Sequence, residues 1–159
     1  MKFSKKSEYA LRALIELTRN YGRPVTRQEI GERQNVPVVF LGQILLRLKH
    51  AGLVASTRGA EGGYALIKAP SQVTLGHVIR ILDGPLAPIG CVSKTAYQKC
   101  RDCPYATKAN CPLQHVMGGV RNAIADILDN YSLEDFTSGM SGSRRSSAHR
   151  RSARRRSET

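Results

Sequence analysis

The sequence predicts a mainly α fold with a small β-hairpin wing, continued by a long C-terminal helix. Three observations predict it. Apolar residues recur at helical spacing in several capped segments before residue 83, one glycine-rich hairpin pattern interrupts them, and a heptad pattern follows Pro112. With 159 residues and no Trp, the chain must build its core from aliphatic side chains. No apolar run approaches a membrane span, and the N-terminus lacks the apolar stretch of a signal peptide, so a cytoplasmic protein is expected.

Ser4 is suited to cap a first helix reaching about Asn20, with Tyr9, Ala10, Ala13, Leu14 and Leu17 on one stripe. Tyr21-Gly22-Arg23-Pro24 breaks it. Thr26 and Glu29 have the spacing of a capping box and open a short helix to about Arg33. After the turn Gln34-Asn35-Val36, Pro37 fits the first position of a helix that runs to His50 and is closed by Gly52. Leu41, Ile44, Leu45 and Leu48 mark its inner face, and Val39, Phe40, Gln43 and Arg47 fall on the other side.

Two short helices joined by a tight turn form a helix-turn-helix. The outer side of the second suits the major groove of duplex DNA. Gln43 and Arg47 can bond base edges or phosphate there, and Val39 and Phe40 can meet thymine methyls. A strand at Leu53–Thr57, a turn at Arg58–Gly63 and a returning strand at Tyr64–Ile67 add a wing. Arg58, at its shoulder, is placed for an adjacent minor groove. The fold expected is thus a winged helix-turn-helix over residues 1–83, where Thr74 caps a closing helix bearing Leu75, Val78, Ile79 and Leu82. Charge agrees: residues 1–80 carry 13 Lys/Arg against 5 Asp/Glu, whereas residues 81–139 carry 5 against 6. A basic first half suits a polyanionic partner.

All four cysteines, Cys91, Cys100, Cys103 and Cys111, lie in the segment 84–111, a loop with little apolar periodicity. In a reducing compartment clustered cysteines are metal ligands or redox thiols rather than disulfides. There is one Cys-x2-Cys pair where zinc ribbons show two, while iron–sulfur clusters accept irregular spacing and often a proline after the cysteine, as at Cys103-Pro104 and Cys111-Pro112. An iron–sulfur cluster, 2Fe-2S or 4Fe-4S, is therefore the first expectation; zinc and plain thiols remain the alternatives. His115, one turn after Cys111, is a lesser candidate ligand.

Pro112 opens the last helix, 112–136, with Cys111 as its N-cap, where free N–H groups favour a thiolate. Leu113, Met117, Val120, Ile124, Ile127 and Tyr131 follow a heptad spacing and suggest a homodimer seam. Residues 137–159 are rich in Arg and Ser and read as a disordered tail. No nucleotide-binding glycine motif and no paired acid/base constellation is present, so an enzyme is not expected. A small iron–sulfur electron carrier would use the same cysteines but not a basic winged helix.

The arrangement resembles the IscR-like winged-helix transcriptional regulators, which include the iron–sulfur cluster assembly regulator, the nitric-oxide-sensing repressor and the rhizobial iron regulator. The likeness covers about residues 1–136. It rests on Met1-Lys2-Phe3-Ser4 with Glu8-Tyr9-Ala10, on Glu32-Arg33-Gln34, Leu41-Gly42-Gln43-Ile44-Leu45 and Leu53-Val54, on Arg58-Gly59 with Gly62-Gly63-Tyr64-Ala65-Leu66, and on the cysteine loop closing in Cys111-Pro112-Leu113. The resemblance implies a homodimeric repressor on palindromic operators, read by Val39, Phe40, Gln43 and Arg58, with an iron–sulfur cluster that senses iron, redox state or nitric oxide. It also implies that Glu8, from the partner subunit, is a candidate ligand. The family uses three cysteines and a different fourth ligand; this chain offers four cysteines, and the Arg/Ser tail has no counterpart.

Overall fold

The computed structural model describes residues 3–59, 61–105, 107 and 110–139, so most of the Arg/Ser tail lies outside the described residues. Three helices come first: α1 (Lys5–Arg19), α2 (Arg27–Gln34) and α3 (Val38–His50). An antiparallel hairpin of β1 (Val54–Thr57) and β2 (Gly63–Leu66) follows, then α4 (Leu75–Asp83), α5 (Pro112–Asn130) and α6 (Leu133–Ser138).

Local chemistry sets most boundaries. The Ser4 hydroxyl accepts from the Ser7 N–H, and Thr74 does the same for His77. Thr26 and Glu29 complete the expected capping box. Pro37 is the N-cap of α3 rather than its first residue, and its carbonyl accepts from the Phe40 N–H at 3.0 Å. At the other end of α3, Gly52 has φ 70°. Its N–H donates to the Lys49 carbonyl, and the Leu53 N–H donates to the Leu48 carbonyl, both at 3.0 Å. This is a Schellman closure, with Leu48 and Leu53 both buried beneath it. It aims β1 back along the helix.

The turn between α2 and α3 is tight because Gly31 leaves room. A Cβ there would lie 2.9 Å from Val38 Cγ2 and 3.0 Å from the Val36 carbonyl oxygen. Glu16 of α1 sits almost fully buried against this unit. It accepts from Arg33 (2.7 Å), Gln34 (3.0 Å) and Asn20 (2.8 Å). Burial pushes its carboxyl pKa up, but these hydrogen bonds outweigh burial and leave it below the ordinary 4.5. A carboxylate with a depressed folded pKa contributes stability that is complete above the unfolded value and is lost as pH falls through the folded one. Stability supplied by Glu16 is therefore expected to fade below pH 4.5. Glu16→Ala should cost ~2–3 kcal/mol near neutral pH, measured by urea unfolding, and should flatten the acid limb of the stability curve. An unchanged acid limb would remove Glu16 as its cause.

The wing is not free-standing. Val25 pairs with Tyr64 on the outer side of β2, exchanging hydrogen bonds of 2.9 and 2.8 Å. Gly63 permits this approach, since a Cβ there would lie 2.7 Å from the Val25 backbone. The core joins α1, α3, the wing root and α4 through Leu14, Leu41, Leu45, Val54 and Val78, and it includes Leu133 of α6.

Leu133 marks a correction to the sequence reading. The helix expected over 112–136 is two helices. α5 ends at Asn130, Tyr131 is extended, and Ser132 starts α6 with its own capping box to Asp135. The link is held across to α4: the Leu75 N–H donates to the Tyr131 carbonyl and the Leu133 N–H to the Val73 carbonyl, each at 2.8 Å. α6 then folds back on α1, so Leu133 joins the core of the first unit and Phe136 packs against it.

Candidate DNA-reading face and cysteine pocket

The outer face of α3 carries the residues expected there. Val39 is 83% exposed, and Phe40, Gln43 and Arg47 are also exposed. Phe40 is not wholly turned outward, because its ring is tilted against Tyr9 of α1 with centroids 6.0 Å apart. Lys5 lies over the other partner of that contact, 5.9 Å from the Tyr9 centroid. Arg47, Lys49 and His50 make the last turn of α3 basic, and Lys49 donates to Ser56 of β1 at 2.6 Å. Arg58 is exposed at the wing shoulder. Arg27 was not anticipated. Its guanidinium lies 3.1 Å from where a Cβ of Gly42 would stand, which brings a further cation against α3. A glycine inside an otherwise strong helix was the signal for such a close approach.

The four cysteines are brought together. Cys91 lies on a 3-10 turn at Gly90–Val92, and Cys111 is the N-cap of α5 without a side-chain capping bond. Cys91, Cys100, Cys103 and Cys111 line one pocket, with Tyr97, Lys99, Tyr105, Thr107 and Gln114. All four are free thiols. A hydrogen bond with Cys91, reinforced by the nearby charge of Cys91 and Cys111, pushes the Cys100 thiol above its ordinary value. No set of three or more Cys, His, Asp or Glu among the described residues converges tightly enough to hold a single metal ion. The thiols share a pocket rather than a point.

Two other candidates stand apart from the pocket wall. His115 is exposed, and Gln114 faces the thiols in its place. Glu8 is engaged on its own helix by Lys5 (2.8 Å) and Arg12 (2.7 Å). The hydrogen bond from Lys5 holds its carboxyl below the ordinary value.

The exposed apolar face of α5 coincides only in part with the expected seam. Leu113, Val116, Val120 and Ile127 are the exposed apolar residues, while Met117 and Ile124 are half-buried toward the chain's own body. Tyr131 is exposed but lies beyond the helix. Val116, outside the expected heptad, is exposed on the same side, since heptad spacing gives a stripe but not its phase.

The sequence profile of the Rrf2 family, described as iron-dependent transcriptional regulators, matches residues 3–139. The chain belongs to the Rrf2 family. This Rrf2 protein is 42% identical over 137 residues to an Rrf2-like HTH-type transcriptional regulator of Rhodobacter capsulatus, covering 84% of this chain and 90% of that protein. It is 32% identical to the HTH-type transcriptional regulator IscR of Erwinia tasmaniensis, covering 86% and 78% of the two chains. Among solved structures it resembles CymR, the global cysteine regulator of Bacillus subtilis (TM-score 0.71, 33% identity, 87% and 97% covered). It also resembles the IscR of T. potens (TM-score 0.70, 27% identity, 94% and 95% covered). The family and these relatives make it a winged-helix transcriptional regulator rather than an enzyme. No helix among the described residues is long and apolar enough to cross a membrane.

Proposed function

We propose that this Rrf2 regulator is a homodimeric repressor of palindromic operators whose affinity for DNA is set by an iron–sulfur cluster held in the cysteine pocket. The observation that carries the reading is the gathering of all four cysteines on one pocket wall at the start of α5. The donor set fits such a group: four soft thiolates, spread around a cavity, suit a body of several irons better than one zinc ion. Cys91, Cys100, Cys103 and Cys111 would hold it, and it would supply occupancy that follows iron supply, oxidants or nitric oxide. Glu8, already ion-paired, is not needed as a ligand. Cys111 joins the pocket to α5, whose exposed apolar face is the surface for a second copy. The outer face of α3 and Arg58 then read successive turns of the duplex.

One observation favours a second reading. Cys91 and Cys100 line the same pocket as free thiols, and CymR relatives occur beside IscR relatives; the same pocket would then respond to thiol oxidation without a cluster.

The test begins with anaerobic purification, iron and sulfide analysis and a visible spectrum. A duplex enriched by the protein from a random-sequence pool is then titrated with cluster-loaded and cluster-free protein at one salt concentration. Stoichiometric iron and sulfide with a state-dependent affinity support the cluster reading. Absence of both, with affinity that follows peroxide treatment, supports the thiol reading. On the same duplex, Arg58→Ala should weaken binding by ~1–3 kcal/mol; wild-type affinity would place the docking face elsewhere.

A further inference from the structure

α5 is held at its two ends by polar contacts, and between them Met117, Arg121 and Ile124 are half-buried rather than locked in the core. At its start, Cys111 lines the cysteine pocket and the turn bearing Cys91 packs against the helix. At its end, Arg80 of α4 grips Asp129 through two parallel hydrogen bonds of 2.5 and 2.8 Å. Gly76, one turn earlier on α4, makes the seat for that carboxylate, because a Cβ there would overlap Asp129 Oδ1. α4 is tied onward: Asp83 accepts from both the N–H and the hydroxyl of Ser4, the N-cap of α1. α1 in turn packs on α3.

A two-point pair between a guanidinium and a carboxylate fixes orientation as well as distance. A pair this exposed adds little to stability. Its geometric effect is larger, because it sets how α5 leans on α4. Resting on the sensor reading above, we propose that Arg80 and Asp129, with Gly76 as their seat, are the positioning residues that carry a change at the cysteine pocket to the DNA-reading unit. Movement of the N-terminus of α5 pivots the helix, and the pair passes the pivot to α4, α1 and α3 instead of letting α5 slide.

Two variants break the joint without touching a DNA-facing residue or a cysteine. Asp129→Asn removes the charge and keeps the shape, and Gly76→Ala fills the seat and leaves both partners intact. Should one variant fail to fold, the other carries the test. The first measurement uses no cofactor. The pocket thiols of the full chain are alkylated with iodoacetamide and amide hydrogen exchange is followed. In the wild type, exchange in residues 73–83 should change by about threefold or more along with that near Cys111. In both variants the change should stay near the pocket. A wild-type change confined to the pocket, or variants that pass it to α4 equally, would overturn the proposal.

The second measurement is the affinity ratio between cluster-loaded and cluster-free protein for the enriched duplex. A wild-type ratio of about tenfold should fall to within about twofold in the variants. If wild type shows no ratio while exchange still reaches α4, the sensor reading fails and the joint stands. If wild type shows the ratio and the variants keep it, the joint fails and the sensor reading stands.

Discussion

Val120→Asp is expected to turn the protein into a monomer. Leu113, Val116, Val120 and Ile127 form one exposed apolar stripe on α5, and Val120 lies near its middle. On a two-fold interface each aspartate would meet an apolar surface and the like charge of its copy. An unpaired buried carboxylate costs several kcal/mol, roughly 3–5, enough to raise the dimer Kd by ~10²–10⁴-fold. Operator affinity should fall with it, because a monomer engages a single half-site. Sedimentation velocity measures the first effect and titration of the enriched duplex the second. A variant that still sediments as a dimer at wild-type concentration would assign the stripe another occupant.

Cys111→Ala should abolish the sensor with little damage to the fold. Cys111 lines the pocket and starts α5, yet its side chain makes no capping hydrogen bond. The loss of helix stability should therefore stay within about 0.5 kcal/mol. The loss of iron should be far greater, beyond the ~10–100-fold typical of a residue that merely supports a ligand. Visible absorbance and bound iron should disappear while the thermal unfolding midpoint moves little. The operator affinity of the variant should equal that of cluster-free wild type. Retained iron would shift the ligand set to Cys91, Cys100 and Cys103. Cys91→Ala is expected to behave in the same way.

What the sequence made legible was local. Ser4, Thr26 and Thr74 announce helix starts because each cap involves residues three positions apart, and Gly52 announces a helix end for the same reason. Contacts between distant segments were not legible. Glu16 reads as one more charged residue on a helix until Arg33 and Gln34 fold against it. Its burial depends on partners 17 and 18 positions away. The end of α5 was missed because the apolar spacing continues smoothly through Tyr131. The competing signal was Ser132 with Asp135, a capping box that used Asp where Glu or Gln is the usual pattern. The cysteines were legible as a cluster by composition alone. Tyr97, Lys99 and Gln114 were not, since nothing in their spacing ties them to a pocket.

The pairing of Val25 with Tyr64 has a consequence for how the chain reaches this structure. Its partners lie 39 positions apart, 25 to 64, with the whole helix-turn-helix between them. A two-stranded hairpin alone is marginal in water, so the wing gains its bridge to Val25 only after α2 and α3 have turned the chain back. Folding must therefore close a long loop before the wing is rewarded for forming, and non-local closure of this kind slows folding. The helices can assemble first from near neighbours, and the wing comes last. During synthesis, the hairpin stays incomplete until Tyr64 has left the ribosome, so the helix-turn-helix exists before its wing does.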